Sequence, residues 1–172
     1  TLAGILEQSS NVGMVIAGDK MTNEQRYNFI SKFGIGQATG LNLPGESEGV
    51  LHPSDSWDRR TRNTVLFGQG YTVNVMQLTN AVSVIANKGV KKPQRIIKSI
   101  TDTAGHVEEQ QSKGEATRVI DESVASQMLN AMESSAEHYN TFVKVDGYRM
   151  AAKSGTAEVA GANGQLTSII SD

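Results

Sequence analysis

Two short clusters of hydroxyl, amide and ammonium side chains stand near opposite ends of the chain. Ser9-Ser10-Asn11 lies close to the start, and Lys153-Ser154-Gly155-Thr156 lies close to the finish. On a strand, side chains alternate between faces, so Ser154 and Thr156 are predicted to offer two hydroxyl groups to one carboxylate. Gly155 would let a bound backbone approach closely, and the next N–H suits one arm of an oxyanion hole. The lysine of the second cluster adds a positive charge, so this pattern favours binding of an anion.

The composition is that of an ordinary globular domain. A length of 172 residues suffices for one domain with a core, and 38% hydrophobic with 20% charged residues argues against a disordered chain. A net charge of −2 gives no basic stripe for nucleic acid. Because there is no Cys and the three His lie far apart, disulfides, Cys nucleophiles and metal sites are not expected.

The two ends of the sequence fall inside predicted elements. The chain starts at Thr1 within a helical pattern and stops at Asp172 within a strand pattern. Natural domains seldom begin and end within an element, so we interpret the sequence as a piece of a longer polypeptide. No apolar run approaches the roughly 20 residues of a membrane helix, and no signal peptide is recognisable.

The first half of the chain is predicted to be helical, followed by a long irregular stretch. Two short helices, with Leu2, Ile5 and Leu6 on one and Val12, Val15 and Ile16 on the other, are separated by a break at the first cluster. A capping box from Thr22 to Gln25 opens a third helix, which stops at Gly34. Residues 34–72 are rich in Gly, Ser and Asp, so they are predicted to be irregular, with Trp57 anchored in the core.

The second half is predicted to mix helices and strands. A buried helix stripe of Val75, Leu78, Val82 and Ile85 ends near Gly89, and a β-ribbon with a turn at 103–105 follows. Asp121 is predicted to cap a helix whose residues Val124, Met128 and Met132 fill the core. A strand from Arg149 to Val159 and a hairpin partner at Leu166–Ile170 complete the prediction.

Several longer motifs resemble one protein family. Residues 39–46, Thr-Gly-Leu-Asn-Leu-Pro-Gly-Glu, resemble a segment of class B penicillin-binding proteins, as do Phe67-Gly68-Gln69-Gly70 and the helix after it. Met150 to Glu158 resembles the family's Lys-Thr-Gly-Thr-Ala strand, with Ser154 in place of the commoner Thr. The two clusters also occur in the order described for penicillin-binding proteins and class A β-lactamases. The family's third motif, Ser-x-x-Lys, is absent, since no Ser is followed by Lys three residues later.

The resemblance implies a fold and an extent. It implies an α+β architecture, the penicillin-binding transpeptidase (serine β-lactamase-like) fold, here as a helical subdomain plus part of an antiparallel sheet. Residues 1–172 would then form one partial transpeptidase domain, truncated at both ends. Other segments of that domain would complete the sheet and supply the nucleophile, so the fragment is expected to be inactive alone.

The resemblance also implies a role for each cluster residue. Ser9 would relay a proton between the active-site Lys and the leaving group, Asn11 would bind the acyl-side amide, and Lys153 would hold the Ser9 hydroxyl. Ser154, Gly155 and Thr156 would bind the terminal carboxylate of a peptidoglycan stem peptide or a penicillin. The family forms an acyl-enzyme on serine and crosslinks stem peptides without a cofactor or metal.

The implied setting is the extracytoplasmic face of the bacterial cell membrane, with the membrane anchor outside this chain. Implied partners are peptidoglycan stem peptides, β-lactam antibiotics, the remaining segments of the domain, and proteins of cell division or elongation. No nucleic acid is among them.

Three other functions stay open. A class A β-lactamase needs a deacylating Glu, usually in a Glu-x-x-Leu-Asn run. Here Ala38 and Ser126 occupy that position before Leu41-Asn42 and Leu129-Asn130, which disfavours this enzyme. A β-lactam sensor domain could share the motifs, although the 39–46 segment favours a wall enzyme. A non-catalytic scaffold of the division machinery is the remaining alternative.

Overall fold

The structure, a computed structural model, describes residues 1–110, 114–138, 145–160 and 166–171. Packing divides the chain into two compact units. The first unit comprises Thr1–Thr22, Trp57–Gly70 and Ser126–Asp172, and the second comprises Asn23–Ser56 and Tyr71–Ala125. The helices are α1 (Leu2–Glu7), α2 (Asn11–Gly18), α3 (Asn23–Lys32), α4 (Thr61–Thr64), α5 (Val75–Ala86) and α6 (Glu122–His138). The strands are β1 (Val90–Lys91), β2 (Ser99–Thr101), β3 (Val107–Gln110), β4 (Thr117–Arg118), β5 (Gly155–Ala160) and β6 (Leu166–Ser171).

The first unit combines short helices with a β-hairpin. Helices α1 and α2 contact each other, and α2 also contacts a 3₁₀ turn at Val65–Phe67. The predicted break between the first two helices is confirmed, because α1 ends at Glu7 and α2 begins at Asn11. Among the described residues of this unit, the buried apolar side chains are Trp57, Val65, Met132 and Ala136. The predicted anchoring of Trp57 in the core is therefore confirmed.

The β5–β6 hairpin confirms the predicted pairing but corrects where its first strand begins. The strands are antiparallel, and their register runs from Gly155 opposite Ser171 to Ala160 opposite Leu166. The sequence predicted a strand from Arg149, which is wrong for residues 149–154. A strand needs a hydrogen-bonded partner, and the pairing with β6 stops at Gly155. Lys153 and Ser154 therefore precede the strand rather than lie on it.

The second unit is organised around Gln77, which is only 2% exposed. Its side chain donates to the carbonyl oxygens of Gln37 and Glu48, each at 2.7 Å, and accepts from the N–H of Asn74 at 3.0 Å. Asn74 completes the capping box by accepting from the Gln77 N–H at 2.8 Å. One buried amide thus fixes the start of α5 against the loop that carries residues 37–48, which has little regular structure of its own.

This arrangement also overturns the predicted buried face of α5. Val75, Leu78 and Val82 are 78%, 55% and 46% exposed, whereas Gln77 and Val84 are buried. Gln77 and Val84 are seven residues apart and therefore share one face. The hydrogen bonds of Gln77 hold that face inward, and within these 172 residues Val75, Leu78 and Val82 are left exposed.

Helix α6 shows a smaller correction of the same kind. Met132 is buried as predicted, but Val124 and Met128 are 46% and 39% exposed. The buried face carries Ala125, Met132 and Ala136, so it shares Met132 with the predicted stripe but is rotated away from Val124 and Met128.

The β-ribbon that the sequence predicted is confirmed as β2 paired with antiparallel β3. Its turn is closed by Asp102, whose carboxylate accepts from the N–H groups of Ala104 and His106 and lies 3.0 Å from the His106 ring. These hydrogen bonds, that of the His106 side chain first, lower the pKa of Asp102.

A tight turn joins α5 to β1 at Asn87-Lys88-Gly89. Gly89 has φ +81°, and its N–H donates to the Val84 carbonyl at 2.8 Å. The Arg118 guanidinium bonds the carbonyl oxygens of Lys88 and Ile120 at 3.0 and 3.1 Å. A Cβ atom at Gly89 would lie 2.2 Å from the Ile120 carbonyl oxygen, so only glycine fits.

Gly89→Ala is therefore expected to lower the free energy of unfolding by more than about 1 kcal/mol, since it adds a backbone clash to the cost of a positive φ. Gly105→Ala is the matched control, because Gly105 has φ +87° but open space around its Cβ position. Equilibrium urea unfolding measures both variants. Equal losses in the two would show that the Ile120 contact contributes nothing.

Candidate active site

The first cluster lies in the turn between α1 and α2. Ser9 has φ +50°, an uncommon value for a residue with a side chain. The turn is held by the N–H groups of Ser9 and Ser10, which donate to the carbonyl oxygens of Leu6 and Ile5 at 3.1 and 3.0 Å. Ser10 caps α2, since its hydroxyl accepts from the Gly13 N–H at 3.0 Å. Ser10 is thus engaged within the turn, and the Ser9 hydroxyl bonds elsewhere.

Helix α6 positions the segment that leads to the second cluster. The Ala152 N–H donates to the Met132 carbonyl at 3.2 Å. Three residues earlier, the Arg149 guanidinium lies 2.6 Å from the Glu133 carboxylate. Met132 and Glu133 are neighbours on α6, so this helix holds the segment of residues 149–152 that leads into Lys153.

The two clusters meet through Lys153. Its ammonium donates a hydrogen bond to the Ser9 hydroxyl and another to the Ser154 carbonyl at 2.7 Å, and the Ser154 hydroxyl lies 3.5 Å away. Ser9 and Lys153 therefore lie in contact although they are far apart in sequence. Partial burial lowers the pKa of Lys153, because removal from water disfavours the charged form.

A cavity of about 380 Å³ surrounds this contact. That volume suits a small ligand. Its polar lining consists of Ser9, Asn11, Gln69, Lys153 and Ser154, and the remainder of Ile5, Leu6, Met14, Leu66, Phe67 and Gly155. Five of the six predicted site residues therefore line one cavity. The sixth, Thr156, lies in β5 opposite Ile170, and its side chain is outside the described residues.

Sequence reasoning did not assign Leu66, Phe67, Gln69 or Met14 to the site. The segment 67–70 had been matched to the family without a role. A signal was nevertheless present, because a glycine on each side of Gln69 is typical of a loop with positive φ values that presents one side chain.

Neither a metal cluster nor a membrane-spanning helix is present in the described part of the chain. No group of three His, Asp or Glu residues there is placed to hold a metal ion. None of the helices there has both the length and the apolar character required to cross a bilayer.

Residues 1–170 match the family model described as the penicillin-binding protein transpeptidase domain. The chain belongs to this family. The resemblance to class B penicillin-binding proteins that the sequence predicted is confirmed, and so is the α+β transpeptidase fold.

Curated relatives resemble most of this chain. It is 36% identical to penicillin-binding protein PbpB of Mycobacterium tuberculosis over 166 residues, which are 92% of this chain and 24% of that protein. It is 34% identical to peptidoglycan D,D-transpeptidase FtsI of Escherichia coli over 167 residues, which are 96% of this chain and 26% of that protein. The chain thus spans about a quarter of the length of these relatives.

Solved structures agree with the fold. A peptidoglycan synthetase from Bifidobacterium adolescentis is 94% identical, with a TM-score of 0.89, over 99% of this chain and 32% of that one. Penicillin-binding protein 3 from Mycobacterium tuberculosis is 31% identical, with a TM-score of 0.87, over 97% of this chain and 39% of that one. That protein has been solved in complex with aztreonam and with ampicillin.

The lowered pKa of Lys153 can be measured directly. We expect its folded-state value to lie below the ordinary 10.5. Between the two values the unfolded chain binds more protons, so the free energy of unfolding rises with pH across that interval. NMR titration of the Lys153 side chain in folded and urea-unfolded protein tests this, with Lys153→Met to assign the signal and remove its share of the pH dependence. A folded pKa equal to or above the unfolded one contradicts the burial argument.

Proposed function

We propose that this chain is part of a peptidoglycan D,D-transpeptidase that crosslinks cell-wall stem peptides and is acylated by β-lactam antibiotics. The observation that carries the proposal is the hydrogen bond from Lys153 to Ser9 inside a cavity that Asn11 and Ser154 also line. The printed names of relatives, which include peptidoglycan D,D-transpeptidase, support the same reaction class. Because peptidoglycan lies outside the cytoplasm, a site that crosslinks it acts on the extracytoplasmic side of the bacterial membrane.

The binding roles follow from the charges of the cavity. Lys153 supplies the cation, and Ser154 and Thr156 supply hydroxyl groups for the terminal carboxylate of a stem peptide. Gly155 opens β5 without a side chain, so the peptide backbone can lie close to the strand. Asn11 stands at the start of α2, where its amide is exposed and suits the amide on the acyl side.

The proton transfer is assigned to Ser9. The family serine attacks the carbonyl carbon of the D-Ala–D-Ala bond, so a C–O bond forms while the C–N bond breaks. The attacking serine gives its proton to the Lys of its own motif, the Ser9 hydroxyl relays a proton from that Lys to the departing nitrogen, and the Lys153 ammonium holds the Ser9 hydroxyl in place. An amine of a second stem peptide then displaces the serine oxygen. The attacking serine with its Lys must come from polypeptide other than these 172 residues.

Ser9→Ala, in a protein that also carries the Ser-x-x-Lys motif, is expected to slow penicillin acylation by roughly 100-fold or more, since a positioned proton-transfer group contributes ~10²–10⁴-fold. Ser10→Ala is the matched control, because the Ser10 hydroxyl caps α2 instead. It should cost about 1 kcal/mol of stability and leave acylation within a few-fold. Stopped-flow acylation and urea unfolding separate the two effects. Equal slowing in both variants would remove the relay role from Ser9.

The 172-residue chain alone is expected to form no adduct with penicillin, because it contains no Ser-x-x-Lys. Intact-mass spectrometry after incubation tests this. A stable adduct mapped to Ser9 or Ser154 would contradict the assigned roles. In the longer protein, acylation by penicillin without any turnover of stem peptides would instead identify a β-lactam sensor.

A further inference from the structure

Gln69 is a polar group of the active-site cavity that the proposed reaction does not use. Its side chain lines the cavity together with Ser9 and Lys153. Within the described residues its carboxamide has no hydrogen-bond partner, whereas the Lys153 ammonium and the Ser10 hydroxyl both do. A partly buried amide with a free donor and a free acceptor is suited to a ligand that offers both.

The backbone holds Gln69 in place by three features. Gly68 and Gly70, on either side, have φ +92° and +86°. The Gln69 N–H donates to the Thr64 carbonyl at 3.0 Å. Just before the loop, Val65 is only 4% exposed and belongs to the core of the first unit. The loop therefore starts from a packed position, and a loop held in this way loses less conformational entropy when a ligand binds.

The character of Gln69 determines what it can recognise. A carboxamide is neutral and has two N–H donors and one carbonyl acceptor. The anionic end of a substrate is better matched by Lys153 and the Ser154 hydroxyl. A backbone amide, with one N–H and one C=O, is the complementary partner of Gln69.

We propose that Gln69 is a substrate-positioning residue whose side-chain carbonyl oxygen accepts a hydrogen bond from one backbone N–H of the acyl-donor stem peptide. The proposal rests on the transpeptidase function proposed above. It deepens that function by assigning recognition of the peptide backbone to the loop of residues 68–70, beside the carboxylate recognition assigned to the Lys153 cluster. Selection of a peptide over other anions would then depend on this loop.

The test compares acyl-donor peptides that differ by one atom in the backbone. One donor has amides throughout, and in the others each amide outside the scissile bond is replaced in turn by an ester, which lacks the N–H. Gln69→Ala is expected to lower kcat/KM for the all-amide donor by roughly two- to tenfold, the value of one hydrogen bond. For one ester donor the ratio of wild type to variant should fall to about one, because the partner group is already missing. The protein assayed must carry the Ser-x-x-Lys motif.

Two controls keep the outcomes distinct. Gln127→Ala removes an exposed amide on α6 and should leave kcat/KM unchanged for every donor. Thermal unfolding of each variant shows whether the fold is retained. An unchanged kcat/KM for Gln69→Ala on the all-amide donor overturns the proposal, as does an equal loss on every donor, which indicates a merely structural residue. Failure of wild-type protein to be acylated by penicillin refutes the proposed function instead.

Discussion

The hydrogen bond from Lys153 to Ser9 is the constraint on which the first unit depends, because it joins residues 144 positions apart. A partly buried ammonium needs acceptors, and here it finds the Ser9 hydroxyl and the Ser154 carbonyl. Helix α6 contacts both the segment that leads to Lys153 and helix α1, which leads to Ser9. It holds residues 149–152 through Glu133 and the Met132 carbonyl, and near its end the His138 ring lies 3.9 Å from the Glu7 carboxylate on α1.

The second unit depends on a different kind of constraint, a buried amide. Gln77 uses its side chain to satisfy two loop carbonyls and one N–H, so a loop without regular structure becomes fixed to a helix. A buried polar group whose partners are all present stabilises one arrangement, whereas the loss of any partner would leave a costly unpaired group. In this way the irregular segment of residues 37–48 is held at both of its ends by one side chain.

The candidate active-site cavity brings polar and apolar side chains together. Its chemistry comes from a few polar groups, and its shape comes from an apolar wall of Ile5, Leu6, Met14, Leu66 and Phe67. An apolar wall limits water and strengthens the electrostatic interactions of Lys153 with a bound anion.

The sequence by itself determined the family, the helix break at Ser9-Ser10-Asn11, the β-ribbon and five of the residues that line the cavity. These features are local or carried by specific motifs, so caps, turns and spacing suffice. Only the tertiary structure decided that α5 buries Gln77 instead of Val75 and Leu78, that β5 begins at Gly155, and that Gln69 reaches the cavity. Periodicity identifies an apolar face, but which face is buried depends on partners far away in sequence. The carbonyl oxygens of Gln37 and Glu48 made that choice for α5.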